Sequence, residues 1–273
     1  MRTVVAAAVA FVVAVAAAAA QDFFPFRRGR DPRPRFPAAD TFDSQFNFCR
    51  LMYTSVAREP GGQGWWTDYP NADINFSIRL SELTKTRVSR ASNGEPNHVV
   101  VRALDDELFQ CPFVIVSDPG TIGLADEEVA RLREYLLKGG FLWADDFWGT
   151  RAWQQWESEI ARVLPPIEYP IVDITPDHAL FRTMFELKEI PQIPNIGHWR
   201  RSGGGTSERG YDSEVVNLRG IADPKGRLLV LMTHNTDIQD AWEREGEDPQ
   251  FFYQFSPNGY AVGINVFLYS VTH

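Results

Sequence analysis

The chain has little of what several protein classes require. Two cysteines among 273 residues are too few for a disulfide-built scaffold. Lys and Arg number 27 against 36 Asp and Glu, and the formal net charge is −9. An acidic protein of this kind repels phosphate backbones, so we expect no nucleic-acid partner. The one basic cluster, residues 27–35, lies in a proline-rich stretch and is interpreted as a solvated leader.

Long apolar runs are also missing after residue 20. Before it, Arg2 gives a positive start, residues 4–19 are apolar and uncharged, and Ala20 ends a run of small residues that signal peptidase can cleave. The sequence therefore predicts a signal peptide over residues 1–20 and a periplasmic or secreted mature protein with no membrane span. The alternative is an uncleaved anchor, because the run is nearly long enough to cross a bilayer.

The two cysteines do not occupy a recognisable redox or metal motif. Cys49 and Cys111 each lie in or beside an apolar run that is typical of a strand. We interpret both as buried free thiols. One disulfide is the alternative, because an oxidising compartment permits it.

The hydrophobic pattern predicts one α/β domain. Residues 21–45 read as a disordered Pro/Arg-rich linker, and the domain covers residues 46–273. An apolar run at 113–116, a helix from residue 125 to Gly139-Gly140 and an apolar run at 141–144 form a strand–helix–strand crossover. The fold class is a mostly parallel, doubly wound, flavodoxin-like sheet. Further strands are predicted at 46–53, 99–101 and 228–232, and further helices from 71, over 152–164 and over 259–270.

Several segments carry a resemblance to known families. Residues 132–142 resemble the crossover of the class I glutamine amidotransferase-like superfamily, particularly its trehalose-utilisation (ThuA-like) branch, and residues 175–181 are similar to another of its segments, with Ala179 where Pro is usual. The chain more closely resembles an uncharacterised bacterial envelope family in that superfamily, a domain of unknown function. The matching pieces are residues 66–70, 79–80, 139–147, 234–243 and 263–273. The resemblance covers residues 46–273 and implies an amidotransferase-like fold in the cell envelope.

One departure from that superfamily excludes its chemistry. The amidotransferases carry a nucleophilic Cys at a strand-to-helix turn, and here the turn at 145–149 reads Asp-Asp-Phe-Trp-Gly. Neither cysteine lies there, and a carboxylate cannot form the thioester. The chain is therefore not a functional glutamine amidotransferase.

Polar residues that follow predicted strands are the candidate site, since ligands bind outside the carboxyl ends of parallel strands. We predict that four of them line one pocket and are the catalytic candidates: Asp145, Asp146, His234 and Asp237. Five more are predicted to bind ligand: Asp118, Asn235, Asp240, Trp66 and Trp148. The alternatives are that the acids at 145–146 cap the next helix, that Asp118 only forms a turn, and that His234 is structural. No role is predicted for His178 or His198.

These residue types favour a short list of functions. Converging carboxylates suit a divalent metal or a general base, and aromatic rings beside acids suit a saccharide; no other cofactor is expected. We expect an exported, non-catalytic domain that binds a small molecule or saccharide, or that acts as a scaffold for an envelope protein partner. The alternative is a hydrolase or isomerase that uses carboxylates and His234, with or without a metal, on a saccharide or cell-wall substrate.

Overall fold

A seven-stranded sheet forms the centre of the computed structural model, which describes residues 33–273. The strands are β1 Phe48–Met52, β2 Thr54–Ser55, β3 His98–Arg102, β4 Phe113–Ser117, β5 Ile122–Gly123, β6 Phe141–Asp145, β7 Ile171–Asp173, β8 Asn217–Ala222 and β9 Leu228–His234. The order in the main sheet is β3-β1-β4-β6-β9-β8-β7, while β2 and β5 pair separately. The pairings from β3 to β9 are parallel, and those of β9 with β8 and of β8 with β7 are antiparallel.

The parallel part of the sheet has the order of a flavodoxin-like fold. Across the sheet, the parallel strands lie in the order β3-β1-β4-β6-β9. The first and second parallel strands of the chain have thus exchanged places, and the other three follow in chain order, which is the order 2-1-3-4-5 of flavodoxin. The predicted α/β class with a mostly parallel sheet is confirmed. Strands β7 and β8 were not predicted, because β7 is short and partly exposed and neither carries a fully apolar run.

Two hydrophobic clusters cover the two faces of the sheet. The helices are α1 Asn71–Leu83, α2 Asp126–Leu137, α3 Gly149–Val163, α4 Ile196–Ser202, α5 Asp240–Glu243 and α6 Pro249–Thr272. Phe76 of α1 and Phe267 of α6 belong to one cluster, whereas Leu136 of α2 and Trp156 of α3 belong to the other. No helix within residues 33–273 is both long and apolar enough to cross a membrane.

The helix boundaries follow local chemistry. Glu128 accepts a hydrogen bond from the Ala125 N–H at the start of α2, and Gly139 follows its end with a φ of 114°. Helix α6 begins ten residues before the predicted position 259. Asp248 caps it by accepting from the Gln250 N–H at 2.9 Å, and Pro257 lies inside it without ending it.

The interpretation of the cysteines as free thiols is wrong. Cys49 and Cys111 form a disulfide, with their Cα atoms 6.1 Å apart. Cys49 lies in β1, Cys111 directly precedes β4, and these two strands are neighbours in the sheet. Because the two cysteines are 62 positions apart in sequence, only the strand order reveals that the two sulfurs meet.

The folded unit begins before residue 46. The Val100 N–H donates to the Arg35 carbonyl at 2.9 Å, and the Arg35 N–H donates to the Tyr69 hydroxyl at 3.1 Å. Residues 33–45, predicted as linker, thus include a segment that pairs with the domain. The predicted signal peptide and the rest of the predicted linker lie outside the described residues.

Candidate functional site

Three neighbouring parallel strands end in the same kind of turn. Asp118 after β4, Asp146 after β6 and Asn235 after β9 have φ angles of 49°, 58° and 66°. Asp and Asn enter this left-handed region more readily than other residues with a Cβ. Because β4, β6 and β9 are adjacent, the three turns lie along one edge of the sheet. Asp68, in the loop before α1, adopts the same conformation with a φ of 64°.

A small cavity lies at this edge. Its volume of about 10 Å³ is room for one water molecule at most. We call it the acidic cavity, because its lining includes several carboxyl groups and only one guanidinium: Glu59, Asp118, Asp146, Glu208, Asp237 and Arg209. Trp148 and Asn195 also line it. The wall therefore comes from the ends of β4 and β6 and from loops far apart in sequence.

Only some of the residues predicted to share one pocket line the acidic cavity. Asp118, Asp146, Asp237 and Trp148 line the acidic cavity. The other predicted residues are not among its lining residues: Asp145, His234, Asn235, Asp240 and Trp66. Successive side chains of a strand point to opposite faces, so residues adjacent in sequence at a strand end need not share a pocket.

Asp145 belongs to a buried polar network and does not line the cavity. Its Oδ1 accepts from the Thr233 hydroxyl at 2.5 Å, and its Oδ2 accepts from the Gln239 N–H at 3.1 Å. Burial raises the pKa of Asp145 to about 7. Neither Asp145 nor Asp146 caps α3, so the alternative interpretation as helix caps is not supported.

Arg50 holds this network together from β1. The guanidinium is fully buried and pairs with Asp73, with Nη2 2.5 Å from Oδ1. It also donates to Gln239 Oε1 at 2.7 Å, to the Thr67 carbonyl at 2.9 Å and to the Ser117 hydroxyl. The positive charge of Arg50 is thus neutralised by Asp73, and it links β1 to the loops that surround the cavity.

His234 and Asn235 fix the start of α3 instead of facing the cavity. The His234 Nε2 is 3.1 Å from the Gly149 carbonyl, to which it donates, and the ring packs against Phe147 and Trp153. Burial lowers the pKa of His234 to about 4, so the ring is neutral near pH 7. Asn235 Oδ1 accepts from the Gly149 N–H at 2.8 Å. Both residues therefore have structural partners.

Asp237 and Asp240 have different surroundings although three residues separate them. Asp237 Oδ1 accepts from the Asp240 N–H at 2.7 Å, at the start of α5. Asp240 Oδ2 accepts from the Ile196 N–H at 2.7 Å, and its Oδ1 is 3.3 Å from Arg244 Nε. Within residues 33–273, Asp240 is thus paired with a cation and Asp237 is not.

Sequence patterns missed Asp68, Glu59, Glu208 and Arg209. One oxygen each of Asp68, Asp146 and Asp237 lies within 4.8 Å of the others, and all three residues are buried. Asp68 lies in the segment 66–70, which carries part of the family resemblance. This resemblance is the sequence feature that could have identified Asp68 as a site residue. Glu59, Glu208 and Arg209 come from loops with no periodic pattern, and only the fold brings them to the cavity.

The electrostatics of the cavity are unbalanced. Burial raises the pKa of Asp68 and of Asp118 to about 6, and raises the pKa of Asp146 and of Asp237 well above the ordinary value. Neighbouring carboxylates add to the shift of Asp146 and of Asp237. The cavity must therefore retain protons or accept a positive charge.

A glycine-rich loop closes the cavity on one side. The Gly64 N–H donates to Asp118 Oδ2 at 2.7 Å, and a Cβ at Gly62 would lie 2.3 Å from the same oxygen. Arg209 ties this loop down, since its Nη2 donates to the Pro60 carbonyl at 2.6 Å and lies 3.3 Å from Glu59 Oε1. Glycine is required at position 62 because the backbone passes directly over the carboxylate.

Fold and site together define a doubly wound α/β domain with an acidic cavity at the carboxyl ends of its parallel strands. The family model of a domain of unknown function, DUF4159, matches residues 47–271. The chain belongs to that family, and the predicted resemblance to a domain-of-unknown-function family is confirmed. No curated protein matches the chain.

Proposed function

We propose that the chain is an exported cell-envelope protein whose domain binds a small, positively charged ligand in the acidic cavity without catalysing a reaction. In this proposal the domain keeps the layout of the class I glutamine amidotransferase-like (ThuA-like) superfamily and lacks its nucleophile. The observation that carries the proposal is a set of buried carboxylate oxygens with no hydrogen-bond partner within residues 33–273. It includes Glu59 Oε2 and Asp118 Oδ1 in the cavity wall and Asp68 Oδ2 close to Asp146 and Asp237.

An unpartnered buried carboxylate oxygen is costly to the folded protein. Asp68 is 6% exposed and Asp118 is 1% exposed, so water cannot satisfy these oxygens fully. A bound cation or hydrogen-bond donor satisfies them. The cavity volume of about 10 Å³ favours an ion or a single small head group over a sugar ring, unless the glycine-rich loop moves.

The cysteines support a function without thioester chemistry. Both are joined in the disulfide, so no thiolate is free to act as a nucleophile. The turn where the superfamily carries its nucleophile presents Asp146, which lines the acidic cavity in a left-handed conformation. A carboxylate at this turn suits the binding of a cation.

A carboxylate-based hydrolase is the second candidate, and one pair of acids favours it. Glu59 and Asp118 both line the cavity, and burial together with the Asp118 charge raises the pKa of Glu59 well above its ordinary value. Two carboxyl groups that share a proton can act as an acid–base pair. His234 does not add to this candidate, because its ring nitrogen is bound to the Gly149 carbonyl.

Export is supported by two independent features. Residues 1–20 have the composition of a signal peptide, and the disulfide is typical of proteins that fold in an oxidising compartment. We expect intact-mass measurement of periplasmic protein to give a mature chain that begins at or near Gln21. Retention of the apolar run in that protein would contradict export by cleavage.

Ligand binding is tested by thermal unfolding of chelator-treated protein at pH 7.5 with a panel of cations. The panel contains ammonium, methylammonium, putrescine, glucosamine and the chlorides of Ca²⁺, Mg²⁺ and Mn²⁺. We expect at least one member to raise the melting temperature of the wild type and to have a much smaller effect on Asp146→Asn. If no member stabilises the wild type more than this variant, the proposal of a cationic ligand fails.

A further inference from the structure

We infer that the cationic ligand is a divalent metal ion with a preference for oxygen ligands, held by Asp68, Asp146 and Asp237. This inference rests on the proposed function and narrows it to one site and one class of ion. One oxygen of each carboxylate lies within 4.8 Å of the others, a spacing that a single ion can bridge. The three residues are 6%, 8% and 2% exposed.

Each of the three carboxylates has an oxygen to spare. Asp146 Oδ1 accepts from Trp148 Nε1 at 3.1 Å, and Asp237 Oδ1 accepts from the Asp240 N–H. Among the hydrogen bonds of residues 33–273, none reaches the Oδ2 of Asp146 or of Asp237. Asp68 Oδ2 is buried and unpartnered as well. Protein bonds thus orient Asp146 and Asp237, and each of the three carboxylates keeps an oxygen for an ion.

The positive charges near these carboxylates are paired elsewhere. Arg50 is bound to Asp73, and Arg209 contacts Glu59 and Glu208. A second group, formed by Asp68 with Asp240 and Glu243, has its own cation: Arg244 Nε is 3.3 Å from Asp240 Oδ1 and 2.8 Å from Glu243 Oε2. Among the residues that the structure describes, no guanidinium is paired with Asp146 or Asp237.

The donor set selects the class of ion. It contains carboxylates alone, without the imidazole or thiolate ligands that Zn²⁺ and Cu²⁺ prefer. Oxygen-only sites suit Ca²⁺, Mg²⁺ and Mn²⁺, which complete their coordination with water. The cavity beside Asp146 and Asp237 has about the volume of one water molecule, which a single ion can occupy.

Isothermal titration of chelator-treated protein with CaCl₂, MgCl₂ and MnCl₂ tests the inference. We expect one ion per chain, with an affinity that falls on the order of tenfold or more in Asp146→Asn and in Asp237→Asn. Asparagine can still accept the bonds from Trp148 Nε1 and from the Asp240 N–H, so both variants should fold. The matched control is the exposed Asp40→Asn, which should bind as the wild type does. Glu243→Gln removes an acid of the second group, which shares Asp68 with the first, and should weaken binding much less than Asp237→Asn does.

Terbium luminescence gives a second readout at the same site. Tb³⁺ is an oxygen-seeking ion, and the Trp148 indole that bonds to Asp146 is placed to sensitise it. We expect tryptophan-excited Tb³⁺ emission that excess Ca²⁺ quenches in the wild type and that is lost in Asp237→Asn. The inference is overturned if no divalent ion saturates, if only Zn²⁺ binds, or if Glu243→Gln loses binding while Asp237→Asn keeps it. Stabilisation by an amine without divalent binding would overturn the inference and leave the proposed function standing.

Discussion

Neutralising Asp118 should stabilise the metal-free protein in a pH-dependent way. Burial raises the pKa of Asp118 to about 6 from an ordinary 3.8, so the folded state holds this proton more tightly than the unfolded chain. The contribution of this bound proton to the free energy of unfolding is complete below pH 4 and is lost as the pH rises towards 6. This difference in pKa corresponds to about 3 kcal/mol at pH 8, which is the most that removing the charge can restore.

Asparagine suits this position for three reasons. It tolerates the left-handed backbone, it can still accept the 2.7 Å bond from the Gly64 N–H, and its amide can donate to Glu59. Urea unfolding in EDTA should therefore show Asp118→Asn gaining up to about 3 kcal/mol over wild type at pH 8 and little at pH 4. Exposed Asp40→Asn is the control and should change nothing. A gain that is equal at both pH values, or a loss at pH 8, would refute the electrostatic explanation.

Three further predictions concern the framework around the cavity. Replacing Cys49 and Cys111 by Ala should lower the free energy of unfolding by about 4 kcal/mol, given a loop of 62 residues, and thiol labelling of unreduced native protein would contradict the disulfide. Arg50→Met strands the buried Asp73 carboxylate and should cost about 3–5 kcal/mol, much of which the added change Asp73→Leu should recover in a double-mutant cycle. Because burial lowers the pKa of His234 to about 4, wild-type stability should fall as the pH drops from 6.5 towards 4, and His234→Gln should remove that part of the pH dependence without altering cation affinity.

Local patterns predicted the elements that are buried on both faces. The runs at 113–116, 141–144 and 228–232 are apolar without alternation, and each forms a parallel strand of the central sheet. Because ligand sites follow the carboxyl ends of such strands, Asp118 and Asp146 could be placed at the cavity from the sequence. Strand β7 was missed because only three residues with little burial pair at the edge of the sheet.

Information that depends on three-dimensional neighbours was not available from the sequence. Glu59 reaches the cavity from one loop, and Asp68 comes close to Asp146 and Asp237 from another. Their spacing in the sequence does not distinguish either residue from an ordinary turn residue. The disulfide depends on β1 and β4 being adjacent, which requires the strand order. His234 shows a different limit: its position at a strand end was predicted, but the direction of its ring depends on packing against Phe147 and Trp153.

The position of the ion is the central claim, and anomalous diffraction tests it most directly. Crystals of the mature protein grown with MnCl₂ would be measured near the manganese absorption edge, beside crystals of Asp237→Asn treated in the same way. We predict one strong anomalous peak between the carboxylates of Asp68, Asp146 and Asp237 in the wild type and none at that place in the variant. No peak in the wild type, or a peak only beside Asp240 and Glu243, would contradict the assignment.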